Sequence, residues 1–217
     1  MSQIGFFDIL TNLIYATGWT IVLSIVSFIG GGILGLILLF ARIGRAKWLQ
    51  LLVKGYTEVF QGTPLLMQLF LAFFGLGLLG IDVAPWLAAG LALILWTAAF
   101  LVEIWRGCVT AIPKGQWEAS ASLGMTYIEQ MRYIILPQAF RISIPPTVGF
   151  SVQVVKGTAL TSIIGFVEVT KAGTVLANAT FQPFTVYGLV ALIYFVLCYP
   201  LSLSARKLER KFKSAAH

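Results

Sequence analysis

The chain has 217 residues, of which 59% are hydrophobic and 11% charged, with a mean hydropathy of +0.91. A soluble chain of this size rarely carries so few charges, so the composition excludes an ordinary soluble fold and indicates one polytopic membrane domain over 1–217. The formal net charge of +7 does not imply nucleic acid, because the basic residues flank hydrophobic stretches and build no soluble basic face.

A helix rising 1.5 Å per residue needs about 20 residues to cross the hydrocarbon core. Five stretches meet that length, so an all-α fold with about five transmembrane helices is expected. The first runs from about Ile14 to Ala41. No basic segment precedes it and it is too long for a signal peptide, so it is read as a retained span. Gly31 and Gly35 within it form a Gly-x-x-x-Gly pair, a weak signal for close helix packing. The second runs from about Val59 to Leu79 and holds Gln68, which is expected to hydrogen-bond between helices. Glu58, near its start, follows Lys54 by four residues and suits an interfacial ion pair.

The third stretch runs from about Trp86 to Trp105, with Glu103 and Arg106 three residues apart at its end. That spacing predicts a local ion pair first and gate residues second. A polar segment, Gly107 to Phe140, separates it from the fourth stretch, about Ile142 to Phe166. Gly62 and Pro64 in the second stretch, and Pro145, Pro146 and Gly157 in the fourth, are candidate helix breaks. The segment Val167 to Pro183 reads as a loop, and the fifth stretch runs from about Val186 to Ser204. Trp19, Trp48, Trp86 and Trp105 fall near the ends of stretches, as interfacial anchors do.

Lys and Arg set the expected orientation. Arg42, Arg45, Lys47 and Lys54 follow the first stretch; Arg106, Lys114, Arg132 and Arg141 follow the third; Arg206, Lys207, Arg210, Lys211 and Lys213 follow the fifth. Thirteen of the fifteen basic residues thus fall on one side, leaving Lys171 opposite and Lys156 inside the fourth stretch. The positive-inside rule then puts the N-terminus outside, the C-terminus in the cytoplasm and the segment 107–140 in the cytoplasm.

That segment contains Glu118-Ala119-Ser120-Ala121-Ser122-Leu123-Gly124, then nine residues, then Ile134-Ile135-Leu136-Pro137. Small residues give a helix a face that another surface can approach closely, Glu118 suits a helix N-terminus, and Gly124 permits a sharp turn. Two short helices meeting at a turn outside the bilayer are expected. The pattern resembles the cytoplasmic loop of permease subunits of ATP-binding-cassette importers, with Glu118, Ala119, Gly124, Ile134, Leu136 and Pro137 at the family's spacing and Ser120 where a third Ala is usual. Gly62-Thr63-Pro64-Leu65-Leu66, Pro113-Lys114-Gly115-Gln116, Leu136-Pro137-Gln138-Ala139 and Lys156-Gly157-Thr158 are similar to segments of the polar amino acid branch.

The resemblance implies the permease fold of a type I importer. By it, a second identical or similar permease subunit, two ATP-binding subunits and an extracytoplasmic substrate-binding protein are expected partners, in the lipid of a bacterial inner membrane. It assigns the coupling to Glu118, Ala119, Ser120 and Gly124, with Ile134, Leu136 and Pro137 seating the loop on the spans. The chain has no glycine-rich Gly-Lys-Ser/Thr loop, so ATP is expected to be used by the partner subunit, and no cofactor or metal by this chain. Cys108 and Cys198 are widely separated and the only His is His217. Asn178-Ala179-Thr180 fits a glycosylation pattern, to which a chain resembling bacterial permeases gives little weight.

Four residues are candidates for the substrate pathway: Lys156, Gly157, Gln153 and Gln61. A Lys at mid-span costs about 2.5–3.5 kcal/mol on insertion scales, so Lys156 is either a pathway cation or a structural or snorkelling charge. The resemblance favours the pathway. Similar permeases often carry an acidic or amide residue at the position of Gly157, so a glycine there suggests a neutral or acidic amino acid as substrate; close helix packing is the competing explanation. Gln153, one turn before Lys156, suits a cavity, and Gln61 stands where similar permeases more often have Arg. Two other classes remain at this stage: a passive channel or scaffold, and a membrane enzyme built on Glu103, Arg106 and Lys156.

Overall fold

The computed structural model describes residues 5–214, with the side chains of Lys213 and Ser214 and all of His217 outside that description. Eight helices and no strand occur among the described residues. Helix α1, Phe6–Ile43, starts where the Asp8 carboxylate accepts the Gly5 N–H at 2.9 Å. Helix α2, Lys47–Gly62, ends at Thr63-Pro64 and is followed by α3, Leu65–Leu78, at 104° to it. Helix α4 is Pro85–Thr110, with proline at its first position, where the missing N–H costs nothing. Helix α5 is Lys114–Ser122, α6 is Tyr127–Ile164, α7 is Val169–Thr180 and α8 is Pro183–Ser214.

Four of these helices, α1, α4, α6 and α8, are long and apolar enough to cross a membrane, and the bent α2–α3 pair makes a fifth. The expected single span Val59 to Leu79 is therefore a broken one. Pro64 has no N–H and holds Thr63 extended, at φ −114° and ψ 143°. Gln68 repairs the break, its amide nitrogen donating to Phe60 O at 2.8 Å, Thr63 O at 3.1 Å and Thr63 Oγ1 at 2.9 Å. Pro145, Pro146 and Gly157, the other candidate breaks, lie within continuous helix.

Three further boundaries differ from the sequence expectation. Helix α6 begins at Tyr127, well before Ile142, so the second half of the elbow is not a separate short helix but the start of a long one. The stretch Val167 to Pro183 is largely helix α7 and not loop. Helix α5 begins at Lys114, which places Glu118 beyond its first turn and away from the positive end of the helix dipole.

The bundle is organised around α4, whose Ala88, Ala89, Leu93, Ala98, Ala99, Leu101 and Val102 are fully buried. Helix α1 packs along it so closely that a Cβ on Gly31 would lie 2.5 Å from Thr97 Cβ, and one on Gly35 would lie 3.3 Å from the Trp105 ring. The Gly-x-x-x-Gly pair is thus a packing seam. At one end of the bundle, Ile9, Leu13, Val169, Leu176, Val186 and Val190 join α1, α7 and α8. At the other end, Val109, Ile112, Met131, Ile135 and Ala139 form a cluster that carries α5.

Candidate functional site

The elbow 111–126 is built from the bundle outward. Trp117 and Tyr127 stack at 6.5 Å between ring centroids, and both rest on the Val109–Met131 cluster together with Ile43, Ile134 and Leu136. The Tyr127 hydroxyl donates to Ile43 O at 2.7 Å, tying the elbow to the end of α1, while the Arg45 guanidinium lies 5.2 Å above the Tyr127 ring. Gln138 reaches Gln116 at 3.3 Å. Helix α5 closes with Leu123, Gly124 and Met125 donating backbone bonds to Ala119, Ala121 and Ser120, a termination that needs the left-handed backbone of Gly124, at φ +75°. Thr126 and Glu129 then cap α6 reciprocally, Glu129 Oε2 accepting the Thr126 N–H at 2.8 Å.

This geometry separates the seven elbow residues singled out in the sequence. Glu118, Ala119 and Gly124 face outward beside Leu123, which is 81% exposed. Ser120 faces inward, buried, its hydroxyl donating to Gln116 O and Trp117 O. Ile134 and Leu136 pack into the supporting cluster, and Pro137 is exposed ten residues into α6, just after its π-helical segment Gln130–Ile135.

The polar pathway candidates also divide. Gln153 and Lys156 are exposed on one face of α6, continuing the line of Ile142, Pro146 and Gly149 at alternating spacings of four and three. Lys156 forms no ion pair among the described residues. Gly157 points elsewhere: it is buried, and a Cβ there would lie 3.2 Å from Leu65 Cδ2 and 3.5 Å from Leu93 Cδ2. It is a packing position between the broken span and α4, which lets Leu65 sit against α6 one residue from Lys156. Gln61 donates its amide to Ala99 O at 3.0 Å, bridging α2 to α4 at the break.

Glu103 accepts from both Arg106, Nη2 to Oε2 at 2.7 Å, and Arg42, Nε to Oε1 at 3.5 Å. The spacing predicts the first pair; the second, from α1, has no local signal. The Lys54–Glu58 pair forms at 3.5 Å with both side chains largely exposed, so it adds little stability.

One functional group is missed by the sequence reading. Glu168 is fully buried at the N-terminus of α7, accepting from Lys171 N at 2.9 Å, Tyr194 Oη at 2.8 Å and Thr20 Oγ1 at 3.5 Å. Thr20 Oγ1 in turn accepts the Val169 N–H at 3.2 Å, and Thr170 meets Tyr194 at 3.1 Å. One carboxylate thus joins α1, α7 and α8. Burial pushes the Glu168 carboxyl above its ordinary value, opposed by these hydrogen bonds. The titratable groups around it are Tyr194 and Lys171, the latter through its backbone N–H. A raised carboxyl makes the folded state hold its proton longer than the unfolded state does. Stability should therefore fall as pH rises from the ordinary Glu value, about 4.3, to the raised one, then level off. Thermal unfolding across pH is expected to lose that dependence in Glu168→Gln. Glu168→Ala, leaving Tyr194 and Thr20 without their acceptor, should unfold at lower temperature at every pH. An unchanged melting temperature in Glu168→Ala would remove the role given to this residue.

The sequence pattern of the family described as "Binding-protein-dependent transport system inner membrane component" matches residues 31–214. The chain is 38% identical over 210 residues to the L-cystine transport system permease protein TcyB of Bacillus subtilis (strain 168), covering 96% of this chain and 88% of that one. It is 32% identical over 203 residues to the glutamine transport system permease protein GlnP of Escherichia coli (strain K12), covering 93% of each. A solved amino acid ABC transporter, crystallised with histidines, superposes with a TM-score of 0.89 at 32% identity, over 93% of this chain and 94% of that one. The inward-facing MetNI methionine transporter shares the fold, with a TM-score of 0.74 at 21% identity over 92% and 95%. The chain belongs to the binding-protein-dependent inner membrane component family, as a multi-pass permease subunit of a type I ABC amino-acid importer.

Proposed function

We propose that this permease forms half of a translocation pathway whose polar wall is the Gln153–Lys156 face of α6, and that α5 transmits ATP-driven movement to it. The observation that carries the reading is the elbow. A short helix and its closing turn present Glu118, Ala119, Leu123 and Gly124 outward, while on the inner side Trp117 stacks on Tyr127, itself bonded to the end of α1, and Gln116 accepts from Gln138. Because α6 is one helix from Tyr127 past Lys156, with a π-helical segment at Gln130–Ile135, a push on α5 is carried along it to the pathway.

In this reading the elbow faces the cytoplasm, with the N-terminus outside, in keeping with thirteen of fifteen basic residues on that side. An ATP-binding subunit docks on Glu118, Ala119 and Gly124. Ser120, Ile134, Leu136 and Pro137 hold the helix to the bundle. A second permease subunit, identical or similar, covers the polar face of α6, which would otherwise place Lys156 in lipid. An extracytoplasmic binding protein delivers substrate at the end carrying α7.

The substrate is a neutral or acidic amino acid. From Gln130 to Val167 the chain has no Asp or Glu, so the Gln153–Lys156 face of α6 offers a cation and an amide but no carboxylate for a basic side chain. The relatives include cystine, glutamine and arginine systems, and so do not themselves divide these classes. The test is uptake into proteoliposomes holding the permease, its ATP-binding subunit and its binding protein. Accumulation of labelled neutral or acidic amino acids should need ATP, and basic ones should not compete. Passage through vesicles containing this chain alone would indicate a channel and overturn the reading.

A further inference from the structure

The face of α6 that carries Gln153 and Lys156 continues below them with apolar residues. Gly149, Pro146 and Ile142 lie on the same face as Gln153 and Lys156, and all three line a cavity of about 580 Å³. Its other walls are Cys108 and Pro145, with Ala205, Arg206, Glu209 and Phe212 from the last turns of α8. Gly149 is seven residues from Lys156, about 10 Å along the helix. Helices α6 and α8 approach closely here: a Cβ on Gly149 would lie 3.8 Å from Ala205 Cβ. The volume is that of a small-molecule site.

The chemistry of the walls is uneven in an informative way. Most of the lining is apolar, while among the described residues its charges are one guanidinium and one carboxylate, three residues apart on α8. Arg206 is exposed, its Nε donating a long bond to Ser202 O at 3.4 Å. The Arg206 guanidinium suits a carboxylate, the negative charge of Glu209, which keeps a partner of its own, favours an ammonium group nearby, and the apolar surface between suits an aliphatic body. Pro145 and Pro146 add a backbone feature. Each withholds an N–H from the preceding turn, which membrane helices tolerate where the freed carbonyls border a cavity.

We infer that this cavity is an exit station for a zwitterionic α-amino acid, its carboxylate held by Arg206 after it leaves Lys156. The inference rests on the pathway proposed above and adds a second binding position to it. Passage between two cations about one cavity apart lets the substrate exchange one partner for the next without being stripped of charge compensation in the low-dielectric span.

The experiment uses the assembled importer in proteoliposomes, with Cys108→Ala and Cys198→Ala removing the native thiols. Ala205→Cys and, separately, Pro146→Cys report on the cavity through their rate of reaction with a cationic methanethiosulfonate, added on the face bearing the ATP-binding subunits. A mixture of the common L-amino acids is expected to slow labelling of both reporters several-fold. Butyrate or butylammonium, each carrying one charge, should not. Arg206→Gln should abolish the protection. Absence of protection at both reporters, or full protection retained in Arg206→Gln, overturns the exit station. ATP-dependent uptake measured in the same vesicles judges the transport reading separately, so loss of one does not masquerade as loss of the other.

Discussion

Lys156→Met is expected to reduce ATP-driven uptake by at least a hundredfold while making the protein easier to insert and no less stable. The two effects have opposite signs because they arise from different environments. In the unassembled chain Lys156 is exposed on α6 with no ion pair among the described residues, so its charge carries an insertion cost of about 2.5–3.5 kcal/mol that Met relieves. In the pathway proposed above, the same charge would face a substrate carboxylate. At about 4 Å and an effective dielectric of about 20, that attraction is roughly 4 kcal/mol, or close to three decades in affinity. Lys156→Arg should retain part of the uptake, since it keeps the charge with a bulkier head. Gln153→Leu removes only neutral hydrogen bonds, worth about 0.5–1.5 kcal/mol each, and should cost about tenfold or less. Uptake and thermal stability measured on the same preparations separate these effects. Wild-type uptake in Lys156→Met would leave the residue with no pathway role, and loss of stability together with uptake would make it a structural charge.

The outline of this molecule is legible in its sequence because lipid imposes a strong rule: apolar runs of sufficient length become helices. Where a helix breaks is much less legible. Pro64 and the Pro145-Pro146 pair are the same residue type in apolar runs, yet the chain bends by 104° at the first and continues through the second. The difference lies in partners. Gln68 supplies donors to Phe60 and Thr63 across the first break, whereas the prolines of α6 border a cavity. At the elbow the turn at Gly124 is readable, since positive φ favours glycine, but the inward direction of Ser120 is not. A run of small residues carries no period, and tertiary contacts, Trp117 stacking on Tyr127 and Gln116 accepting from Gln138, fix which side of α5 meets the bundle. Glu168 is the least legible of all. Its partners Thr20 and Tyr194 are 148 and 26 residues away, so nothing local distinguishes it from an exposed loop carboxylate.

Gly124→Trp should release the ATP-binding subunit from the permease, and Gly80→Trp should not. The pair is chosen because the two glycines match in backbone conformation and in free space but differ in place. Both adopt left-handed backbone, φ +75° and +78°, and both have open space where a Cβ would go. Each substitution therefore carries the same backbone strain, about 1–2 kcal/mol, and the same added bulk. Gly80 lies in the turn after α3, whereas Gly124 ends α5 beside the outward face formed by Glu118, Ala119 and Leu123. An indole there would hold a docking surface away by the thickness of a ring, removing contacts that fall off steeply with separation. In a mild-detergent pull-down from native membranes, the wild type and Gly80→Trp should bring down the ATP-binding subunit in equal amounts, with Gly124→Trp bringing down little. Uptake should follow the same order, while folded yield stays similar in the two variants. Equal recovery in all three would mean that the ATP-binding subunit grips the permease elsewhere, and that the exposed face of α5 has no part in coupling.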